Sequence, residues 1–482
     1  MKTFQDLQAA TDREAFIVTA INEHKATDMY HWAVEGDLYS RQLNSTIMKY
    51  QKLLYTMTGK AVPDNYTANH KCASNFFDRF ITQETQYLLG NGVTFNDDGT
   101  KDKLGTQKYD IDTQLQKAGR EALIAGVSFG FYNFDHIEVF KLSEFVPLWD
   151  EETGELMAGI RFWQISNTKP LRATLYELDG YTDYIKRKGN KLEVLKEKRA
   201  YTQIVTTSAA DGTEIYDGNN YPGFPIVPLW GNTKHQSELV GLKTEIDAYD
   251  LIKSGFANDL DDASMIYWTL ENAGGMDDID LAKFIERMKT VKAAVVDGDG
   301  GARAEAHTIE VPYQSRETYL TRLESDMYND AMALNVNQIS AGNVTATAIQ
   351  AAYEPLNNKT DQFEYCVIEF LNGIMELAGI EDEPTFKRSK IANQTEETSM
   401  VLAAAEYLDD ETILKHLPFL SPDEIDTIIG AKTKEEADRY KQLEEENAQL
   451  KAQQQMNQNM VQNSNEQPNN SDEEGQIDDN SQ

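Results

Sequence analysis

Cysteine is almost missing from this chain. Only Cys72 and Cys366 occur in 482 residues, far apart and outside any CxxC, so neither a disulfide framework nor a structural zinc site is supported, and a reducing compartment fits best. Basic charge is scarce as well: 45 Lys and Arg stand against 80 Asp and Glu, a net charge of −35. Such a surface as a whole repels nucleic acid and anionic lipid, so any contact with DNA must be local or loose. Long apolar runs are absent. No window reaches the ~18 uninterrupted apolar residues of a membrane span, and charge interrupts the N-terminus before an h-region forms, so neither a signal peptide nor a spanning helix is expected.

The motifs of catalysis are missing too. Gly59-Lys60 lacks the upstream glycine and the following hydroxyl residue of a phosphate loop, so ATP hydrolysis is not expected. His24, His31, His70, His136, His235, His307 and His416 never fall in HxH or HxxxH spacing, and no metal or cofactor is expected. The run Asp297-Gly298-Asp299-Gly300-Gly301 has alanine and threonine, at 302 and 308, where a calcium loop wants glycine and glutamate, and reads as a turn. Asp259, Asp261 and Asp262 read as a solvated helix face rather than an acid/base pair. There is no GxSxG elbow.

What is present is enough apolar material for about three structural units: 40% hydrophobic residues, with 23 Tyr and 19 Phe. The fold class is α+β, mainly helical. From about Asp12 to Phe95 the pattern is helical, with Phe76, Phe77, Phe80 and Ile81 on one face, stopped by Gly90 and Gly92. Ile111 to Ala125 is a further helix, after which the period changes to two at Val127, Phe129 and Phe131. Short strands separated by turn pairs such as Asp179-Gly180 then predict a meander packed on the preceding helices. The proline-rich run Tyr221–Pro228 reads as an extended boundary between modules.

Beyond it, Leu239, Leu242, Ile246, Tyr249, Phe256 and Leu260 form a helical stripe. A helix over 235–262 would be about 42 Å long at ~1.5 Å per residue. A second long helix follows from Arg316 to about Leu334, and the two bracket a small α/β insert like legs, with Val291–Val296 and Ala304–Val311 expected to pair as a hairpin. Ser340-Ala341-Gly342-Asn343 breaks the pattern before a long helix from Ile349 to Gly379. Glu396–Gly430 reads as helical, with a cap at Asp409 or Asp410 and a break at Leu417-Pro418. From Ala452 to Gln482, fifteen Asn and Gln, six Asp and Glu and no aromatic residue predict a disordered acidic tail, preceded by one frayed helix or weak coiled coil. On the residues alone, three readings stand: a channel-forming structural protein, a hydrolase using a carboxylate pair, and a scaffold or adaptor without a channel.

Five pieces, in order, carry a resemblance. Glu245-Ile246-Asp247-Ala248-Tyr249-Asp250, followed by Ser254 and Asn258-Asp259-Leu260, is the sharpest. Pro225-Ile226-Val227-Pro228, Gly231-Asn232 and Ser237-Glu238-Leu239 precede it; upstream lie Asn75 to Gly90 and Gly119 to Gly126, and downstream Asp410-Glu411-Thr412 to Leu417-Pro418-Phe419. Together they resemble the portal proteins of tailed double-stranded DNA bacteriophages, of the siphophage type found with Gram-positive hosts.

That resemblance implies a ring at one capsid vertex, usually a dodecamer, through which the genome enters and leaves. By it, residues 1–232 and the helix 349–379 form the wing, 235–262 and 312–335 the stem, and 263–311 the clip. The tunnel loop is 336–348, the crown 380–440 and the disordered tail 441–482. It implies fleeting DNA contact from Gln338, Ser340, Asn343, Thr345 and Thr347, and stem packing through Asp247, Tyr249, Asp250, Ser254, Asn258 and Asp259. The apolar stripes of the legs would be buried between neighbouring subunits. Docking of the terminase large subunit and of a head-completion adaptor falls to Lys283, Arg287, Lys289, Lys292 and Arg303 of the clip. Scaffold and major capsid protein would be further partners, no membrane is involved, and the site of action is the virion, with assembly in the host cytoplasm. An acidic bore suits transport, because lysine and arginine contacts to phosphate would make each step of sliding DNA a binding event.

Overall fold

The computed structural model describes residues 1–207 apart from 57, 66 and 98, then 214–263, 267–271, 279–280, 282–284, 286, 303–307, 313–336, 346–389, 398, 401–417 apart from 406, 420 and 422–463. They fall into two units, Met1–Lys390 and Ile391–Gln482.

In the first unit the stretch read as helical, Asp12 to Phe95, holds three short helices, a hairpin and one long helix, with a fourth short helix before it. Phe4–Ala9, Arg13–Lys25, Asp28–Ser40 and Ser45–Lys49 are helical, Leu53–Tyr55 pairs with Ala61–Pro63, and Phe76–Leu89 resumes. Thr3, Asp12 and Thr27 accept N-cap hydrogen bonds, which sets these starts. Ile111–Ala125 follows, ending at Gly126 in the left-handed region with φ +93°, where a Cβ would also lie 2.9 Å from the Gln236 carbonyl carbon.

Five strands from Phe145–Trp149 to Leu192–Arg199 form a simple antiparallel meander, each paired with its neighbour in sequence. Its inner face closes on Leu7, Phe16, Ile17 and Ile21, so the N-terminal helices cover it. The proline-rich segment is extended as expected, but its second half is paired rather than a bare link. Ile226–Trp230 is the edge strand of a three-stranded sheet with Val127–Tyr132 in the centre and Ile137–Lys141 beyond, and Pro228 opposite Phe129 is tolerated because an edge strand has one side without a ladder.

That sheet packs on a helix running from Ala346 to Ala378, three residues earlier than expected, with Phe363, Val367, Phe370 and Ile374 buried along it. Residues 380–389 belong with this first unit rather than with the expected crown: Thr385–Phe386 pairs with Val93–Thr94, and Ser389 N–H donates to the Tyr87 carbonyl at 2.9 Å.

The legs are Leu239–Ala263 and Tyr313–Asp330. The second stops short of 335 because Met332 turns into the left-handed region at φ +52°. Between them Tyr267–Glu271 pairs with Arg303–His307, so the return strand meets the strand leaving the first leg. Its expected partner, 291–296, lies outside the described residues.

In the second unit Asp409 caps Asp410–His416, accepting from Thr412 N–H at 3.1 Å, and Pro422 opens a helix reaching Asn463. Residues 441–463, expected in the disordered tail, are therefore helical. From 431 to 463 there is no glycine or proline, and Ala, Glu, Gln and Lys dominate, so propensity carries the expected frayed helix on past Ala452, where composition alone predicted disorder.

Candidate functional site at the leg helices

The six residues of the stem motif lie on one helix and serve four different contacts. Asp250, Ser254 and Asn258 are spaced i, i+4, i+8, which places them on one face about 6 Å apart. All three are buried, Asp250 completely. They accept hydrogen bonds from alternate backbone amides of one preceding segment: Ser74 N–H to Asp250 Oδ1 at 2.8 Å, Cys72 N–H to Ser254 Oγ at 2.9 Å, and His70 N–H to Asn258 Oδ1 at 2.7 Å. The two-residue repeat of extended chain nearly equals one helical turn, so a straight segment is buttoned to the helix along its length. Asn44 donates to the other oxygen of Asp250 and to the Ser74 carbonyl. Burial pushes the Asp250 carboxyl up, and these donors oppose it.

Asp247 points elsewhere, accepting from Tyr39, from Thr46 Oγ1 at 2.8 Å and from Lys243 Nζ at 2.7 Å. Tyr249 sets its ring edge-on against Phe76, centroids 5.0 Å apart. Asp259 pairs with Arg316 at the start of the second leg. At the other end Glu245 meets Asp330, so the legs run antiparallel, and the Glu245 carboxyl rises to about 7 through burial and then the neighbouring acid. The apolar stripe is used inside the chain at its upper half. Leu239, Leu242 and Ile246 are core residues, whereas Leu260 is exposed, which narrows any burial between subunits to the lower end.

One feature escaped the sequence reading. Lys359, on the helix Ala346–Ala378, lies 2.8 Å from Glu84 and 2.9 Å from Glu238. These three come from three separate elements and close against the entry to the first leg, beside a cleft of about 240 Å³. Burial lifts Glu84 to about 7 against the pull of Lys359. Burial alone would lower Lys359, but the two carboxylates hold it above the usual lysine value. No spacing signals this triad, since Glu84, Glu238 and Lys359 stand 154 and then 121 positions apart along the chain and are joined by folding alone.

The other candidates are less gathered. Lys283 is exposed and lies 3.6 Å from Asp280, and Arg303 opens the return strand; Arg287, Lys289 and Lys292 lie outside the described residues. Gln338, Ser340, Asn343 and Thr345 also lie outside them, while Thr347 belongs to the first turn of the long helix rather than to a loop. Among the described residues there is no group of three or more metal-ligating side chains, and no helix is long and apolar enough to cross a membrane.

Residues 33–460 match the family described as phage portal protein, SPP1 Gp6-like. The chain belongs to that family. The portal protein of Clostridium phage phiCD119 is 24% identical over 386 residues, covering 73% of this chain and 82% of that protein. The portal protein of Bacillus phage SPP1 is 22% identical over 429 residues, covering 83% and 82%. Among solved structures, a chain from the neck of an empty gene transfer agent particle aligns with TM-score 0.41 and 10% identity over 70% of this chain and 88% of its own. One from the native particle's neck, computed with C12 symmetry, aligns with TM-score 0.40 and 11% identity over 72% and 91%. As a portal protein, the chain is a structural component of the virion that works as a ring of identical subunits, with the α+β portal fold. Of the three readings of the residues, the channel-forming structural protein is the one this membership supports.

Proposed function

We propose that twelve copies form the ring, that the genome passes along the legs, and that the segment between the legs is where the packaging motor and then the head-completion adaptor dock. One observation carries this reading: two antiparallel leg helices, both acidic, leave the insert at one shared end. Leu239–Ala263 has six Asp and Glu to two Lys, and Tyr313–Asp330 four Asp and Glu to two Arg. A duplex sliding past such walls meets repulsion rather than wells, since few cations are available to replace phosphate counterions. Tight buttoning of Asp250, Ser254 and Asn258 to the subunit's own chain keeps the leg stiff, which suits a wall that must hold its bore while DNA moves.

The segment 337–345, with Gln338, Ser340, Asn343 and Thr345, supplies neutral hydrogen-bonding groups for brief phosphate contact. Lys283, Arg287, Lys289, Lys292 and Arg303 give the insert a local basic cluster against the acidic background, suited to an acidic partner surface. ATP chemistry would then belong to the motor. The test is packaging in vitro with rings carrying Lys283→Glu, Arg287→Glu and Lys292→Glu. Intact rings that no longer retain the terminase large subunit and no longer fill capsids are expected; unchanged capture and packaging would overturn the assignment of the insert.

A further inference from the structure

The hairpin Leu53–Tyr55 with Ala61–Pro63 has none of its six strand residues buried. Leu53 is 49% exposed, Tyr55 74%, and Tyr50 just before them 39%. A two-stranded hairpin is marginal by itself in water, yet its tip is well built: Thr56 N–H donates to the Lys60 carbonyl at 3.0 Å, Gly59 N–H to the Thr56 carbonyl at 2.8 Å, and Gly59 takes φ +76°. Among the described residues nothing covers this ordered arm, which carries apolar side chains on both faces. Its charge is opposite to that of the chain. From Leu43 to Pro63 there are three lysines, 49, 52 and 60, and no Asp or Glu, in a protein of net charge −35.

Elsewhere on the same unit is a groove of opposite character, of about 860 Å³, where the meander, the edge strand and the long helix meet. Trp149 and Trp230 stack in its wall with centroids 5.8 Å apart, and Phe224 and Leu377 extend the apolar lining. Its charged rim is Glu155, Glu369 and Glu376, all exposed, with no Lys or Arg among the described lining residues.

We propose that the arm of one copy seats in this groove of the adjacent copy, apolar side chains against the two tryptophans and lysines against the rim carboxylates. A ring needs a heterologous contact between two different, complementary patches of one chain, and these two patches complement each other in both polarity and charge. The inference rests on the ring reading above. The full-length chain is compared by native mass measurement and negative-stain microscopy with an arm variant, Lys49→Glu with Lys60→Glu, a groove variant, Glu369→Lys with Glu376→Lys, and the combination of all four. Each reversed variant alone is expected to lose rings at least about tenfold, because like charges then face each other, and the combination to regain them. Recovery in the combined variant cannot arise from misfolding. Rings of normal yield from both single-sided variants would overturn the proposal and leave the arm for another partner, DNA or a capsid protein; so would loss without recovery in the combination. If the parent chain itself formed no rings, the ring reading would fall and this contact with it.

Discussion

Lys359 Nζ lies 2.8 Å from Glu84 Oε2, with Glu84 almost fully buried. The pair joins the long helix to the helix Phe76–Leu89, and Glu238, 2.9 Å from the same ammonium, adds the approach to the first leg. Lys359→Met should cost about 3–5 kcal/mol, because it strands two carboxylates around a site built for a cation. Denaturant melts of the variant and the parent at neutral pH check this, and a loss under 1 kcal/mol would mean that the triad is not holding these elements together.

Glu84 also makes stability depend on pH. Its folded value of about 7 lies above the usual carboxylate value, so between roughly pH 4.5 and 7 the folded state holds a proton that the unfolded state has lost. This site therefore favours folding most at low pH and loses that contribution as pH rises through about 7. Glu84→Gln should flatten the stability profile across that window. A profile as steep as the parent's would locate the dependence elsewhere.

Glu245 and Asp330 face each other across the legs, and Glu245 is likewise raised to about 7. Glu245→Gln removes a repulsion that exists only when both are ionised. The variant's melting temperature should exceed the parent's by a margin that widens from pH 5 to pH 8. A constant margin would show that the two carboxylates do not interact.

Ser254→Ala leaves the Cys72 amide facing the first leg without its acceptor. The expected cost is about 1–3 kcal/mol, the price of one buried unpaired donor, with faster hydrogen exchange at Cys72 than at Ser74. Equal exchange at both amides would mean that the segment 70–74 is not held by these side chains.

Gly130 sits where a Cβ would lie 2.4 Å from Phe370 Cζ. Gly130→Ala must displace that ring from between the central sheet and the long helix, at about 1–3 kcal/mol or more. A thermal melt within one degree of the parent would show that Phe370 has room to move.

Periodicity made the legs, the meander and the long helix legible, because each depends on local apolar spacing that folding leaves in place. The motif around Asp250 was legible as a pattern but not as a contact. Its spacing placed Asp250, Ser254 and Asn258 on one face, yet nothing in the segment His70–Ser74 advertises that its backbone amides are the donors. Lys359 was illegible altogether, since its carboxylate partners are brought to it only by tertiary packing. The run at Tyr221–Pro228 was legible as extended and unfit for a central strand, but nothing in it announced that Ile226–Trp230 would pair as an edge strand with Val127–Tyr132, about a hundred residues upstream. The helix ending at Asn463 was legible only in part: one frayed helix or weak coiled coil was expected before Ala452, but 452–463 was read as disorder from its polar composition, although glutamine and alanine are good helix formers.

The most direct measurement is electron microscopy of the purified full-length chain, with native mass on the same sample. The account predicts closed rings of twelve subunits with a central hole wide enough for duplex DNA. A uniform monomer or dimer across protein concentration, salt and co-expression with scaffold would contradict it.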